Sequence, residues 1–407
     1  MTFMPADFLA DAHGLSDRIT DLRRAIHREP EIGLHTPRTR DKIRAALAHL
    51  PLEWREGPST TGLVATLKGG AGPGPAVLLR GDTDALPMPE ETGLDYASIV
   101  PGVMHACGHD AHVAMVAGAA QLLCARAASL RGEVRFMFQP GEEGYHGARF
   151  MLEDGLLGGE GTGLPLPDAA FALHVMPNAP HGVVGGRAGA LLASADQIGI
   201  IVTGRGGHAS APHATLDPMP VACEIVTALQ AMVTRKFSVF DPVVVTIAKI
   251  ECGTAHNVIA DSARLTGTMR SLSPANRARL RDEVQQLATG IAAAHGLGAE
   301  VTIQEGFPVT LCDARAVDFG ERVAGELLGP HGFLRLPEPI MGAEDFSYVL
   351  EKVPGAMFFL GVSHEGEDWQ HCCGIHSTKM RVDESTLPRG AAFLAALAER
   401  FLARGFD

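Results

Sequence analysis

The densest run of reactive side chains is Met104-His105-Ala106-Cys107-Gly108-His109-Asp110-Ala111-His112. Cys107 and His109 stand two apart on a loop that opens a helix, a spacing that lets both side chains converge on one point. A thiolate and an imidazole together suit Zn or a similar borderline metal. The thiolate also keeps lone pairs enough to bridge two ions. Taken alone, a Cys-x-His pair is as readily a bland loop or core feature.

Gln139-Pro140-Gly141-Glu142-Glu143-Gly144 sharpens the case. Two adjacent carboxylates directly after a buried strand repel, and raise each other's pKa, unless a cation sits there. Neighbours in extended chain point to opposite sides, so one can bind metal while the other faces substrate. The ordinary reading of a Glu-Glu pair is an acidic surface turn. It loses ground here because the pair follows FMFQP and precedes Gly144. His174 ends the run AAFALHV, and His376 sits in GIHST; in isolation each reads as a hydrogen-bonded histidine. Together, Cys107, His109, Glu143, His174 and His376 supply enough donors for two metals sharing one bridge.

These residues need elements to carry them. Ser16 to Arg28 predicts an amphipathic helix ended by Pro30. Gly62–Lys68, Ala76–Arg80, Glu133–Gln139 and Ala169–Val175 predict strands, with a small-residue helix from Ala111 to Ala128 among them. Strands alternating with helices imply a largely parallel α/β sheet. Ligands gather at the carboxyl ends of such strands. There stand RGDTDAL, QPGEEG and LHVMP.

Residues 188–305 read differently. Strand Gln197–Thr203, helix Asp217–Lys236, strands Val243–Glu251 and Ala263–Arg270, helix Pro274–His295 and strand Glu300–Gln304 are the order of a compact α+β sandwich. The expectation is a two-domain α/β protein: a mostly parallel-sheet catalytic domain, residues 1–187 and 306–407, interrupted by a smaller α+β domain at 188–305.

The 407 residues suit two or three domains, and 46% hydrophobic with 20% charged residues is a globular composition. A formal charge of −13 argues against nucleic acid as a partner. Seven scattered cysteines do not read as a disulfide framework. The first residues lack a basic stretch followed by an apolar one, and no apolar run reaches the roughly 18 residues a membrane span needs. A soluble, cytoplasmic protein is expected.

In order along the chain stand MHACGHD, QP-x-EEG, LHVMP, GRGGHASAPH, GTAHNVIAD followed by GTMRS, GAEDFS and GIHS. This set resembles the M20 metallopeptidase family, specifically its amidohydrolase branch of hippurate hydrolases, N-acetyl-amino-acid deacetylases and plant auxin-conjugate hydrolases. The resemblance spans residues 23 to about 380. It implies that Cys107 bridges two divalent ions (Mn or Zn, with Co or Ni as alternatives). Glu143 and His376 would complete one ion, His109 and His174 the other. Glu142 would be the general base, and Asp82 and Asp84 would orient the ligands. The inserted domain would be a lid and dimerisation domain, making a homodimer or a tetramer. His208 would reach the substrate carbonyl oxygen from the partner subunit, and Asn257 and Arg270 would bind substrate, the forked donors of Arg270 suiting a carboxylate.

Without the resemblance, His208, Asn257 and Arg270 read as surface polar residues, and Asp82 and Asp84 as turn caps. The implied reaction is hydrolysis of the amide bond of N-acyl amino acids, N-acetyl or N-benzoyl among them. A dipeptidase, an acyl-diamino-acid deacylase and a non-catalytic ligand-binding member are the alternatives. The match departs from the branch at Gly141, where Ala is usual, and at His35 and Thr36, where acidic residues are usual. WQHCCGIHSTKMRVDES lacks the usual Pro after His-Ser and the aromatic residue three places later. His371, Cys372 and Cys373 add soft donors near His376.

Overall fold

A computed structural model describes residues 5–407. The leader-peptide reading rested partly on residues 1–4, which lie outside the described residues. The chain divides into two compact units. One holds the residues up to Leu191, Leu311–Glu338 and Asp345–Asp407; the other holds Leu192–Thr310 and Pro339–Glu344. The inserted unit therefore runs from 192 to 310 rather than from 188 to 305, and takes in a short later segment.

In the first unit the described residues build an eight-stranded sheet. Its strands are β1 (Glu53–Glu56), β2 (Leu63–Lys68), β3 (Ala76–Asp82), β4 (Glu133–Gln139), β5 (Ala169–Met176), β6 (Val184–Gly186), β7 (Phe333–Arg335) and β8 (Gly355–Gly361). The spatial order is β1-β2-β4-β3-β5-β8-β6-β7. The central run β4-β3-β5-β8 is parallel, as the alternating pattern predicts. The antiparallel pairs β1–β2, β2–β4 and β8–β6 flank it. Every residue of β3 is buried, the signature of a strand covered on both faces.

Three helices matter for the site: α1 (Ser16–Arg28), α2 (His109–Cys124) and α3 (Leu387–Arg404). Helix α2 starts at His109, two residues earlier than the sequence pattern predicts. Its N-cap is Gly108 at φ +84°, a left-handed conformation that only glycine adopts cheaply. A side chain there would also strike Val175, because an added Cβ would lie 2.3 Å from its Cγ2. Glycine also eases a close approach at Gly81 of β3, where a Cβ would lie 3.0 Å from the His112 carbonyl oxygen. The first turn of α2 thus rests directly on the backbone of β3.

The second unit is a four-stranded antiparallel sheet of Val243–Cys252, Ser262–Ser271, Asp196–Thr203 and Gly298–Gln304, in that spatial order. Burial alternates along Asp196–Thr203, so one face is covered and the other open. The covered face packs with helices Pro218–Lys236 and Pro274–Ala294 in a core that includes Ile198, Ile200, Leu229, Leu265 and Val284. Both helices are capped, Asp217 accepting from the Met219 N–H and Ser273 from the Asn276 N–H. Among the described residues no helix is long and apolar enough to cross a membrane.

Candidate metal centre

The carboxyl ends of the parallel strands bring the expected donors together within the first unit. Cys107 lies in the loop before α2, and His109 is that helix's first residue. Glu142 and Glu143 follow β4, and His174 sits near the end of β5. His376 comes from the loop after β8; it holds φ +62°, and its N–H donates to the Ala106 carbonyl at 2.7 Å. A non-glycine residue in the left-handed region stores strain, and such residues concentrate at functional sites.

The Cys107 sulfur is 3.4 Å from His174 Nε2. His376 Nε2 is 3.3 Å from Glu143 Oε1. His109 Nε2 is 3.9 Å from both Glu142 Oε2 and Glu143 Oε1. Two sets of donor atoms, each within 4.8 Å of one another, share Cys107: one is Cys107, His109 and His174, the other Cys107, Glu143 and His376. A third, His109 with Glu142 and Glu143, joins them. No such set among the described residues contains His371, Cys372 or Cys373, so the extra soft donors near His376 are not drawn in. All seven cysteines are free.

His109 Nε2 is buried and makes no well-formed hydrogen bond, although Asp82 Oδ2 stands 3.2 Å from it and Glu143 Oε1 3.9 Å. Buried polar atoms are normally satisfied, so an imidazole nitrogen left facing carboxylates marks the place of a ligand. Thiol, imidazole and carboxylate donors gathered there fit a borderline divalent ion.

The electrostatics agree. Burial pushes the Cys107 thiol above its ordinary value. Hydrogen bonds to Cys107 and Glu143 raise His376 to about 10. Burial alone would raise Glu143, but His376 and His109 outweigh it and hold the carboxyl low. Burial opposes protonation of His109, yet the Asp82 carboxylate and Cys107 lift it well above its usual range.

The groups that hold the donors were only partly visible in the sequence. Asp84 accepts the Glu142 N–H at 2.9 Å and the Glu143 N–H at 3.0 Å, one on each carboxylate oxygen. Asp82 Oδ1 lies 2.6 Å from His112 Nδ1, and Asp82 Oδ2 lies 2.9 Å from an Arg80 guanidinium nitrogen. His112 went unnamed as a site residue, although it follows His109 by three on one helix face. Also missed was a buried cluster on the far side of the Cys107 loop. There Asp110 Oδ2 accepts from Arg23 Nε at 2.9 Å and sits 2.8 Å from His27 Nδ1. Arg23 in turn reaches Tyr96 and Glu384. Arg23 and His27 stand four apart on α1, the one local hint that they share a partner.

His208, Asn257 and Arg270 all belong to the second unit. His208 is exposed and pairs with Val258 in a two-residue ribbon, and the Ala209 N–H donates to the Asn257 carbonyl at 3.0 Å. The two motifs GGHAS and GTAHNV are therefore neighbours. Arg270 is half-buried on strand Ser262–Ser271.

Residues 78–400 match the model of peptidase family M20/M25/M40. Thermostable carboxypeptidase 1 of Saccharolobus solfataricus is 37% identical over 96% of this chain and 97% of its own. N-acetylcysteine deacetylase of Bacillus subtilis is 37% identical over 94% of this chain and 96% of its own. Among solved structures, the Bacillus subtilis YXEP protein, described as a dinuclear metal-binding peptidase from the M20 family, superposes with TM-score 0.82. It is 32% identical, with 96% of this chain and 99% of that one covered.

Proposed function

We propose that this chain, which belongs to peptidase family M20/M25/M40 and is a metallo-amidohydrolase, removes the acyl group from N-acylated amino acids at a centre of two divalent ions. The observation that carries the reading is the meeting of two donor sets that share the Cys107 sulfur, one with His109 and His174 and one with Glu143 and His376, with a second carboxylate, Glu142, beside them.

Cys107 would bridge the ions, His109 and His174 completing one and Glu143 and His376 the other. When bound, the ions would supply Lewis acidity, acidifying an attacking water towards neutral pH and polarising the amide carbonyl. Glu142 is the general base. Its backbone is pinned by Asp84, and its Oε2 lies 3.9 Å from His109 Nε2, so it reaches the donor cluster without being needed in either set that shares Cys107. In the reaction Glu142 takes a proton from the attacking water and later delivers it to the leaving amine. His208 donates to the developing oxyanion, contributed by the second unit of a partner subunit, and Asn257 and Arg270 orient the amino acid carboxylate.

The relatives leave two substrate classes in contention, peptides for the carboxypeptidase and an N-acetylated amino acid for the deacetylase. A panel of N-acetyl, N-benzoyl and indoleacetyl amino acids, run against simple dipeptides and acyl-diamino acids on zinc- or manganese-loaded protein, separates them. Chelator-sensitive turnover fastest on an N-acyl amino acid is expected. Faster turnover of dipeptides, or no turnover of any compound, would overturn the reading.

A further inference from the structure

Val175 follows the proposed ligand His174 on β5, and both of its backbone groups are committed to imidazole rings. Its N–H donates to His112 Nε2 at 2.8 Å. Its carbonyl lies 2.6 Å from His174 Nδ1. A carbonyl can only accept, so His174 carries a proton on Nδ1, and the neutral ring then turns Nε2 as an acceptor toward the Cys107 sulfur at 3.4 Å. An N–H can only donate, so His112 Nε2 is an acceptor as well. His112 therefore carries its proton on Nδ1 and donates it to Asp82 Oδ1 at 2.6 Å.

We infer that His112 is a positioning residue for His174, acting through the Val175 peptide, with Asp82 fixing the tautomer of His112. The inference rests on reading His174 as a metal ligand. The β3–β5 ladder ends at the Arg80–Ala172 pair, so the last residues of β5 have no strand partner on that side. His112 takes the place the sheet leaves open. It can do so because Gly81 lets the first turn of α2 settle on β3, and because Gly108 clears room over Val175. The His112 and His174 rings lie 4.4 Å apart between centroids, so His174 cannot turn over without meeting His112. A core histidine bonded for its own sake would use any nearby groups. Here one nitrogen holds the main chain of the ligand-bearing strand, and the other is set by a carboxylate. Outer groups that orient a ligating imidazole commonly change metal affinity by about 10–100-fold.

Two conservative variants separate the links. His112→Asn keeps a donor where Nδ1 stood, for Asp82, but has no atom at the Nε2 place to hold Val175. His112→Gln keeps an acceptor near the Nε2 place and gives up Asp82. Zinc affinity is measured by chelator competition, with bound zinc counted by elemental analysis and folding checked by circular dichroism. The expected result is a loss of about 10–100-fold at one of two zinc ions for His112→Asn, with His112→Gln losing less. Wild-type affinity in His112→Asn, while His174→Ala binds weakly, overturns the inference and leaves the ligand reading intact. Wild-type affinity in His174→Ala overturns the ligand reading itself, and the inference with it. Independently of any variant, nitrogen NMR of the histidines in zinc-loaded wild-type protein should find the His112 proton on Nδ1. A proton on Nε2 overturns the inference.

Discussion

Asp84 holds the acidic loop through its two carboxylate oxygens, one on the Glu142 N–H and one on the Glu143 N–H. Asp84→Asn keeps the shape and removes one of the two acceptors. The amide can accept one N–H but must point its own NH2 at the other, so a buried donor is left unsatisfied. A charge-assisted hydrogen bond contributes about 1.5–3 kcal/mol, and an orphaned buried donor costs about 1–3 kcal/mol. The removed charge also stood 3.5 Å from His109 Nδ1, so one of the proposed ligands loses a favourable neighbour. Relief of a buried charge works the other way, but the two N–H groups and His109 already compensate that charge. The net expectation is about 2–4 kcal/mol less unfolding free energy for the first unit.

The catalytic effect is separable from the stability effect. If the loop relaxes by a few tenths of an ångström, Glu142 and Glu143 both move relative to Cys107 and His109. Outer groups of this kind are worth about 10–100-fold in activity or affinity, or about 1.4–2.7 kcal/mol. The assay is kcat/KM on the best N-acyl amino acid, with zinc content measured on the same sample and urea unfolding alongside. An Asp84→Asn protein with wild-type kcat/KM and unfolding midpoint would refute the claim that main-chain hydrogen bonds to this carboxylate place the loop.

Glu142→Gln should keep its full complement of metal and lose about 10²–10⁴-fold in turnover; loss of metal, or robust residual activity, would contradict its role as base. His208→Ala should lower kcat by about 10²–10³-fold with metal content unchanged, as removal of an oxyanion donor does. Elemental analysis beside kinetics checks both. In the second unit, burial alone would raise the Asp196 carboxyl, but hydrogen bonds from Arg277 and Gly306 and the charge of Arg281 hold it below its usual value. A depressed carboxylate contributes stability that is present above its unfolded pKa, about 3.9, and lost as pH falls through the folded one. Unfolding followed from pH 7 down to pH 3 should therefore show an acid limb beginning near pH 4 that Asp196→Asn flattens, at a cost of about 3 kcal/mol at neutral pH. An unchanged acid limb in the variant would assign it to other carboxylates.

What the sequence made legible was what leaves a local mark. Buried parallel strands are short apolar runs, and polar residues just past their ends stand out, so RGDTDAL, QPGEEG and LHVMP were found and their donors meet. The short strands β6 (VGG) and β7 (FLR) left no mark in the sequence, because at three residues each they are too short to show a period. Helix α2 starts early because Gly108 adopts a left-handed turn, which a glycine between Cys107 and His109 permits but does not announce. The Arg23–Asp110 and Arg23–Glu384 pairs join residues 87 and 361 apart in the chain, and no periodicity records such a distance. His112 was overlooked for another reason. It sits inside the quoted motif, but a histidine that grips main chain looks, in sequence, like any other.

The support of the donors converges on one strand end that supplies none of the proposed ligands. Arg80, Asp82 and Asp84 alternate along β3 and its exit, and alternation places such residues on one side of an extended chain. Arg80 Nε donates to the Gln139 side chain at 2.9 Å, and its Nη2 reaches Asp345 Oδ1 at 3.1 Å, tying the ends of β3 and β4 to the segment at Asp345. Asp82 sets His112, and through it the Val175 peptide beside His174. Asp84 sets Glu142 and Glu143. Thr83, on the opposite side, turns instead to Thr36 at 3.0 Å. A one-residue slip here would exchange the two sides and release three donor-bearing segments at once. Cys107, His109, Glu143, His174 and His376 are the proposed ligands, but the period of two in Arg-Gly-Asp-Thr-Asp helps decide where they stand.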